Sequence, residues 1–493
     1  MKCGLPRLSK RGFARLWSAT VLVALASQLP TLLISPPIWQ DEVQIVELGR
    51  VSVFDPATDW SLNWLPSGRP ATLVSYLGVA LQELAFRATH SPLGPRLCSL
   101  LGGLVAATAL LLWLRLRLAS RLLAWFLATA FLFDPIFVAG YRGGRLDGWA
   151  IGACLASCLF VRVAARSPSA GSRHTNLLLA GGCLALSGFI WPSALLLAPL
   201  PVLELLRPSA AVERSRLGEV AWMLAGTVAA GVALAIPIVP HWSTYARDVA
   251  QVSRASLLTQ SVGNVFVANL HNLWGVARQS PLVFLLAATS VLARRNWPLA
   301  ALIGLLLSYE LGTFLYHHRI TYQLPILFVM IGDGLRVVRA SRAPQAPLAI
   351  RICAVATLFW AVGLSLGVRT VIAEAEKKGR DPEALVEIAQ REVGAGPKRV
   401  YLGCWEFYYS GRLLGWHMKR PYVRLTDQER AFFATTVDYA IVGKGDPLDE
   451  ALRADGLRQV ADLTVSGEVS ARSFGGHAFG PYSVLARPNA VGL

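Results

Sequence analysis

Two adjacent carboxylates, Asp41 and Glu42, lie in the stretch Pro36-Pro37-Ile38-Trp39-Gln40-Asp41-Glu42, directly after an apolar run long enough to cross a bilayer. Ionisable groups at the edge of a span are costly to place, which makes them candidates for function. Neighbours on a helix point about 100° apart, so this pair suits two separate roles better than a shared proton. Asp41 can be read as a general base that takes a proton from an acceptor group. Both carboxylates can equally be read as interfacial helix caps or as partners of Arg50 and Arg69, and position alone does not separate the readings. Arg142, Arg145 and Asp147 form a second cluster. Forked guanidinium groups fit phosphate oxygens; the alternative has Asp147 favouring a helix N-terminus while the arginines meet lipid headgroups. His317, His318 and Arg319, with Tyr322 close by, form a third. A histidine pair can bind phosphate or contribute to a divalent metal site. Adjacent histidines diverge on a helix, so a chelate needs ligands from elsewhere, and plain interfacial histidines are the favoured reading. His241 and His271 read as loop residues.

The elements that must position these groups are membrane spans. The chain has 493 residues, of which 54% are hydrophobic and 16% charged. Soluble chains carry about a quarter charged residues, and several runs here approach the roughly 20 apolar residues that cross a hydrocarbon core. The net charge of +17 would suit nucleic acid. Its distribution argues otherwise, because Lys and Arg cluster in short loops between apolar runs, as topology signals do. The cysteines, Cys3, Cys98, Cys154, Cys158, Cys183, Cys353 and Cys404, fall mostly inside apolar runs and read as small hydrophobes. The C-terminal segment holds only Cys404, so it has no disulfide framework.

The basic leader with Lys2, Arg7, Lys10, Arg11 and Arg15 predicts a cytoplasmic N-terminus before a first span over about 16–35. That run is longer than a usual signal core, which favours an uncleaved span. The segment 71–89 contains Gln82, Glu83 and Arg87 and is expected to lie in the interface. With it lying flat, further spans follow at about 95–114, 122–140 and 147–165, two short ones within 177–207 that turn near Trp191-Pro192, then 217–238, 280–293, 297–315, 320–335 and 347–368. Every basic cluster then falls inside and every unusual polar cluster outside, including an outer loop over 240–279. The fold expected is an α-helical polytopic membrane protein of about 11 transmembrane helices over 1–370, followed by a small α/β extracytoplasmic domain over 371–493. In that tail, 372–393 reads as a polar helix, and 399–403, 437–442 and 482–486 as strands. Trp405, Tyr408, Tyr409 and Trp416 could line a sugar-binding surface, but such aromatics are more often core.

The order of these features carries a resemblance. Asp41-Glu42 after the first span, Arg145-Leu146-Asp147 at the fourth, Trp191-Pro192-Ser193, and His317-His318-Arg319-Ile320-Thr321-Tyr322 before Leu324-Pro325 together resemble the GT-C membrane glycosyltransferases. The nearest branch is that of protein O-mannosyltransferases and lipid A aminoarabinose transferases. Relatives have Arg-Pro-Asp where this chain has Arg145-Leu146-Asp147. They commonly have an Arg-Tyr pair where it has Arg319-Ile320, and often His-Pro-Pro in the first loop where it has Ser67-Gly68-Arg69-Pro70.

The resemblance implies transfer of a sugar from a polyprenyl-phosphate donor to a lipid, glycan or protein acceptor on the extracytoplasmic face of the inner (cytoplasmic) membrane. Asp41 is then the base, with Glu42 beside it. Arg142, Arg145, His318, Arg319 and Tyr322 face the donor phosphate, and Asp147, Trp191 and His317 contact substrate. The transfer needs no nucleotide; a divalent cation serves some relatives and is the one candidate cofactor, but no complete ligand set can be assembled here. A transporter or flippase of lipid-linked sugars would place polar groups near the midplane in repeated halves, and this chain has them at one face with no repeat. A polyprenyl-lipid-binding scaffold without catalysis is the other alternative, and replacement of Asp41 separates it from the enzyme.

Overall fold

The computed structural model describes residues 9–65, 70–71, 75–118, 120–207, 216–257, 262–294, 296–312, 317–340, 356–357, 359–375, 377, 381–421, 425–443, 445–463 and 482–490. Helix α1 (Lys10–Gln28) is followed by α2 (Gln40–Gly49), α3 (Tyr76–Thr89) and α4 (Leu93–Leu118). Next come α5 (Arg121–Leu132), α6 (Pro135–Arg142), α7 (Asp147–Ala164), α8 (Ala170–Ile190) and α9 (Pro199–Leu206). Helices α10 (Arg216–Ala235) to α15 (Leu324–Ala340) complete the helical region: α11 (Trp242–Leu257), α12 (Val262–Ala277), α13 (Pro281–Arg294) and α14 (Trp297–Gly312) lie between them.

Among the described residues, four helices are long and apolar enough to cross a membrane: Lys10–Thr31, Leu93–Leu118, Asp147–Ala164 and Leu217–Ala235. The pair α5 and α6 makes a fifth if counted as one span bent by 58°. The chain is therefore multi-pass, with fewer such helices than the eleven apolar runs suggested. Local breaks account for part of the difference. The continuous span expected over 122–140 is interrupted because Pro135 has no N–H to continue α5. Asp134 caps the new helix instead, accepting from the N–H of Ile136 at 2.9 Å. Within 177–207 the chain breaks at Trp191-Pro192, where the turn was expected; the first piece is the 21-residue α8, which begins earlier, at Ala170, and the second is a 3-10 turn over Pro192–Leu197 followed by the short α9. The loop expected over 240–279 is largely two helices, α11 and α12. The 14-residue α3 spans about 21 Å at 1.5 Å per residue, short of a hydrocarbon core of about 30 Å.

The main core forms where α4 and α7 cross, and α5, α6 and α15 pack around them. A Cβ built on Gly148 of α7 would meet the backbone of Gly103 at 2.5 Å and of Gly102 at 2.6 Å. Only a hydrogen fits there, which is how helices approach closely in lipid, where dispersion rather than the hydrophobic effect draws them together.

The C-terminal part is a five-stranded sheet with helices. Strands β1 (Arg399–Leu402), β2 (His417–Lys419), β3 (Tyr439–Gly443), β4 (Arg458–Leu463) and β5 (Tyr482–Ala486) lie in the order β2-β1-β3-β5-β4. The β1 pairs are parallel, with Val400 opposite Tyr439, and the β5 pairs antiparallel, with Tyr439 opposite Ala486. The expected strands 399–403, 437–442 and 482–486 all appear, within a residue or two. Strands β2 and β4 went unread. The first is three residues long, and the second is mostly solvent-facing, so neither shows a buried apolar run. The helix expected over 372–393 is two, α16 (Arg369–Ala375) and α17 (Pro382–Glu392), the latter restarted by an Asp381 cap and Pro382. Between the strands lie α18 (Tyr408–Leu414), α19 (Asp427–Thr435) and α20 (Asp449–Ala454). Tyr408, Tyr409 and Trp416 are buried in this domain's core, the plainer of the two readings their spacing allowed.

Candidate active site

Helix α2 begins at Gln40 after an extended Trp39, so Asp41 and Glu42 fall in its first turn, where the helix dipole favours negative charge. The two side chains part, as the helical angle requires. Asp41 accepts from Arg145, while Glu42 forms a bidentate pair with Arg96, whose Nε and Nη2 donate to its two oxygens at 2.8 Å each. The Asp41 side chain is 26% exposed and that of Glu42 is 0%. Of the pair, only Asp41 is open to an incoming group.

Arg145 lies between α6 and α7 and joins two carboxylates. It binds Asp41 through Nη1 and Asp147 through Nε, with Nη2 reaching Asp147 Oδ1 at 3.4 Å. Tyr322 closes the chain by donating its hydroxyl to Asp147 Oδ1 at 2.6 Å. Residues from α2, from the turn before α7, from the first turn of α7 and from the 3-10 turn His317–Tyr322 thus meet in one line: Asp41, Arg145, Asp147, Tyr322. The Trp39 ring lies 5.8 Å from the Arg145 guanidinium, and its Nε1 donates to the carbonyl of Gly143 at 2.9 Å. Burial pushes the Asp41 carboxyl above its ordinary 3.8; Arg145 pulls against this, and Asp147 pushes the same way as burial. A carboxylate raised in this manner is a stronger base than a solvated aspartate, as general-base catalysis near neutral pH requires.

The turn that delivers Arg145 depends on Gly144, which has φ +65° and faces Glu42: a Cβ there would lie 2.6 Å from Glu42 Cγ. Close approach and left-handed backbone both call for glycine.

Arg142 takes a different place from the phosphate contact expected of it. It is fully buried and gives its hydrogen bonds to the loop after α1. Nε and Nη2 donate to the Ser35 carbonyl at 3.0 and 2.8 Å, Nη1 to the Gln28 carbonyl at 2.9 Å and to its side chain, and Nη2 to Thr31 Oγ1 at 2.9 Å. It organises the approach to α2 rather than presenting free donors. Glu42, expected beside the base as a catalytic group, is held away from solvent by Arg96. Trp191 follows α8 and packs half-buried against the cluster of Ile45, Leu48, Val79 and Leu146. Arg319 is half-buried in the turn that ends with Tyr322. His317 and His318 open that turn, and their side chains lie outside the described residues, as does Arg69.

Sequence reasoning missed Arg96. The available signal was a charged residue in the first turn of a 26-residue apolar helix, a position that demands a partner. It gave no partners to Glu47 and Glu83, which are fully buried and ion-paired to Arg50 and to Arg87 and Arg412. Burial raises the Glu47 carboxyl, but Arg50, Arg412 and the Tyr408 hydroxyl outweigh it, and the net shift is below the ordinary 4.5. No cluster of three or more His, Cys, Asp or Glu able to hold a metal occurs among the described residues. The two carboxylates that converge, Asp41 and Asp147, are both bound to Arg145, which does not fit a cation between them.

The helical region with its appended sheet shares its fold with solved structures of GT-C type. The crystal structure of ArnT from Cupriavidus metallidurans in the apo state matches 97% of this chain and 98% of its own with a TM-score of 0.58 at 13% identity. The same protein bound to undecaprenyl phosphate matches over the same shares with a TM-score of 0.59 at 14% identity. The mycobacterial arabinofuranosyltransferase AftD, seen by cryo-electron microscopy, matches 98% of this chain and 42% of its own, at a TM-score of 0.52 and 16% identity. At these identities the likeness is one of fold, and at that level it agrees with the resemblance drawn from residue order. No family model matches the sequence, and no curated protein does.

Proposed function

We propose that the protein transfers a sugar from a polyprenyl-phosphate donor to an acceptor on the extracytoplasmic face of the membrane, with Asp41 as general base. The observation that carries this reading is the line Asp41, Arg145, Asp147, Tyr322, in which one partly exposed carboxylate of raised pKa is held by a buried guanidinium. The fold shared with ArnT, one of whose structures holds undecaprenyl phosphate, supports the lipid part. In this reading an acceptor hydroxyl attacks the anomeric carbon, its proton passes to Asp41, and the bond from the anomeric carbon to the phosphate oxygen breaks. Polyprenyl phosphate leaves with the electron pair. Arg145 fixes the direction of Asp41, and Asp147 and Tyr322 fix Arg145. Among the described cations of the cluster we assign the leaving phosphate to Arg319, which shares the 3-10 turn His317–Tyr322 with Tyr322. We further assign about eleven crossings, a cytoplasmic N-terminus and a domain boundary near residue 370, on the basic clusters of the short loops.

The test is sugar release from radiolabelled polyprenyl-phosphate sugars by purified protein, with an acceptor-containing membrane extract present, comparing wild type with Asp41→Asn. Wild type should consume one donor, and the variant should lose at least about a hundredfold in rate while still binding it. Donor binding without consumption by either protein would instead favour a lipid-binding scaffold.

A further inference from the structure

Asp41 is one peptide bond from Glu42, and Glu42 is held from two sides. Arg96 fixes it from α4 and is itself anchored by the carbonyls of Leu32 and Leu33 at 2.9 and 2.8 Å. The second hold comes from the C-terminal domain: Tyr409 Oη donates to Glu42 Oε1 at 3.3 Å. The same helix, α18, reaches two more carboxylates of the membrane region. Tyr408 Oη donates to Glu47 Oε2 at 3.0 Å, and Arg412 donates to Glu83 through Nη1 at 3.1 Å and Nη2 at 2.8 Å. Glu42, Glu47 and Glu83 each have 0% side-chain exposure. Carboxylates removed from water must be paired and hydrogen-bonded, and each takes one of its donors from α18. Ring contacts seat the helix: the Arg412 guanidinium lies 4.7 Å from the Phe86 ring centre in a cation–π contact, and the Phe86 and Tyr409 rings are 5.3 Å apart.

The docking continues along the first outer loop. Trp64 N donates to the Arg420 carbonyl and Arg420 N to the Ser61 carbonyl, each at 3.0 Å, so this loop runs on beyond strand β2. The Lys419 amine sits 4.5 Å from the Trp64 ring centre and 5.2 Å from that of Trp60.

We propose that α18 of the C-terminal domain is a positioning element of the active site: Tyr409, through Glu42, sets the rotation of α2 and thereby the direction in which Asp41 meets Arg145. A carboxylate gripped by Arg96 alone has one fixed direction; a second donor from another element fixes the rotation of the helix that carries it. The role rests on the transferase reading for its catalytic meaning, but the geometric part stands apart from it and can be measured separately.

The experiment uses the full chain in detergent or nanodiscs with two readouts. One is steady-state sugar transfer; the other is carbodiimide coupling of an amine to Asp41, followed by peptide mass spectrometry, which needs no turnover. Tyr409→Phe removes one oxygen and keeps the ring. It should lower kcat by about tenfold or more, with donor KM within about twofold, since misplacing a reacting group costs rate more than binding. Its rate of Asp41 labelling should differ from wild type several-fold. Tyr408→Phe removes a hydroxyl from the same helix but touches Glu47, and its Asp41 labelling should stay near wild type. Equal changes in the two variants would assign the effect to loss of docking in general and overturn the role of Tyr409, as would wild-type labelling and kcat in Tyr409→Phe. Should that variant not fold, Arg412→Lys loosens α18 while keeping the hydroxyl, and unchanged Asp41 labelling there overturns the proposal. A wild type that labels normally but turns over no donor would count against the transferase reading alone, and the labelling comparison would still decide the positioning role.

Discussion

Asp41 and Glu42 are chemically alike and adjacent, yet their environments drive them apart. Glu42 is sealed by a bidentate arginine and acts as a structural anchor; Asp41 keeps a quarter of its surface and a raised pKa. Because burial raises the Asp41 pKa in the folded protein, the folded state binds this proton more tightly than the unfolded chain does. Its contribution to stability is complete below the unfolded value of 3.8 and is lost as pH rises through the folded pKa. Activity has the opposite sign, since a base works only when deprotonated. The acid limb of the pH–rate profile should therefore lie above 3.8, and it should vanish with the residual activity of Asp41→Asn. A limb at or below the ordinary aspartate value would remove Asp41 from that role. Glu47, lowered by its arginines and Tyr408, runs the other way: its contribution is present above 4.5 and is lost as pH falls through the folded pKa.

At the scale of the element, the site depends on close crossing. Asp147 opens α7 one residue before Gly148, whose missing Cβ lets α7 lie against α4. Gly148→Ala should push the two helices apart, lowering stability by about 1–3 kcal/mol as overpacking does. Turnover should fall with it, because Asp147 moves with the helix. Thermal unfolding in detergent and sugar release together check this, and wild-type values for both would show that the crossing yields at no cost. Broken helices were the elements the sequence rendered least well. The apolar run over 122–140 has the composition of one span, and the bend at Asp134-Pro135 shows only as a single proline, whereas Trp191-Pro192 was legible as a turn.

For the molecule as a whole, α4 connects two buried ion-pair networks. Arg96, near its start, joins the candidate active site. Arg117 binds Glu204 and also Asp333 at 2.6 Å, with Arg162 on Glu204 and Arg207 on Asp333 at 3.5 Å. The 21 positions from Arg96 to Arg117 put these networks about 32 Å apart at 1.5 Å per residue. Removing one partner of such a network leaves buried charge uncompensated. Asp333→Asn should cost about 3–5 kcal/mol in unfolding yet leave carbodiimide labelling of Asp41 unchanged, because packing rather than charge spans that distance. Altered labelling would instead show the two ends coupled through α4. Composition and local spacing were enough for a multi-pass membrane protein, because a bilayer acts directly on apolar runs and basic short loops; the order of Asp41, Arg145-Leu146-Asp147 and Tyr322 carried a resemblance. Local spacing also gave the divergence of Asp41 from Glu42, since helical geometry is local. Only the tertiary structure decided which arginine serves which carboxylate. Arg96 to Glu42, Arg145 to Asp41 and Arg412 to Glu83 are pairings across 54, 104 and 329 residues. Any of the chain's many arginines could satisfy any acid by charge alone, and what selects the partner is the docking of α18 and the crossing of α4 with α7, neither of which has a local signature.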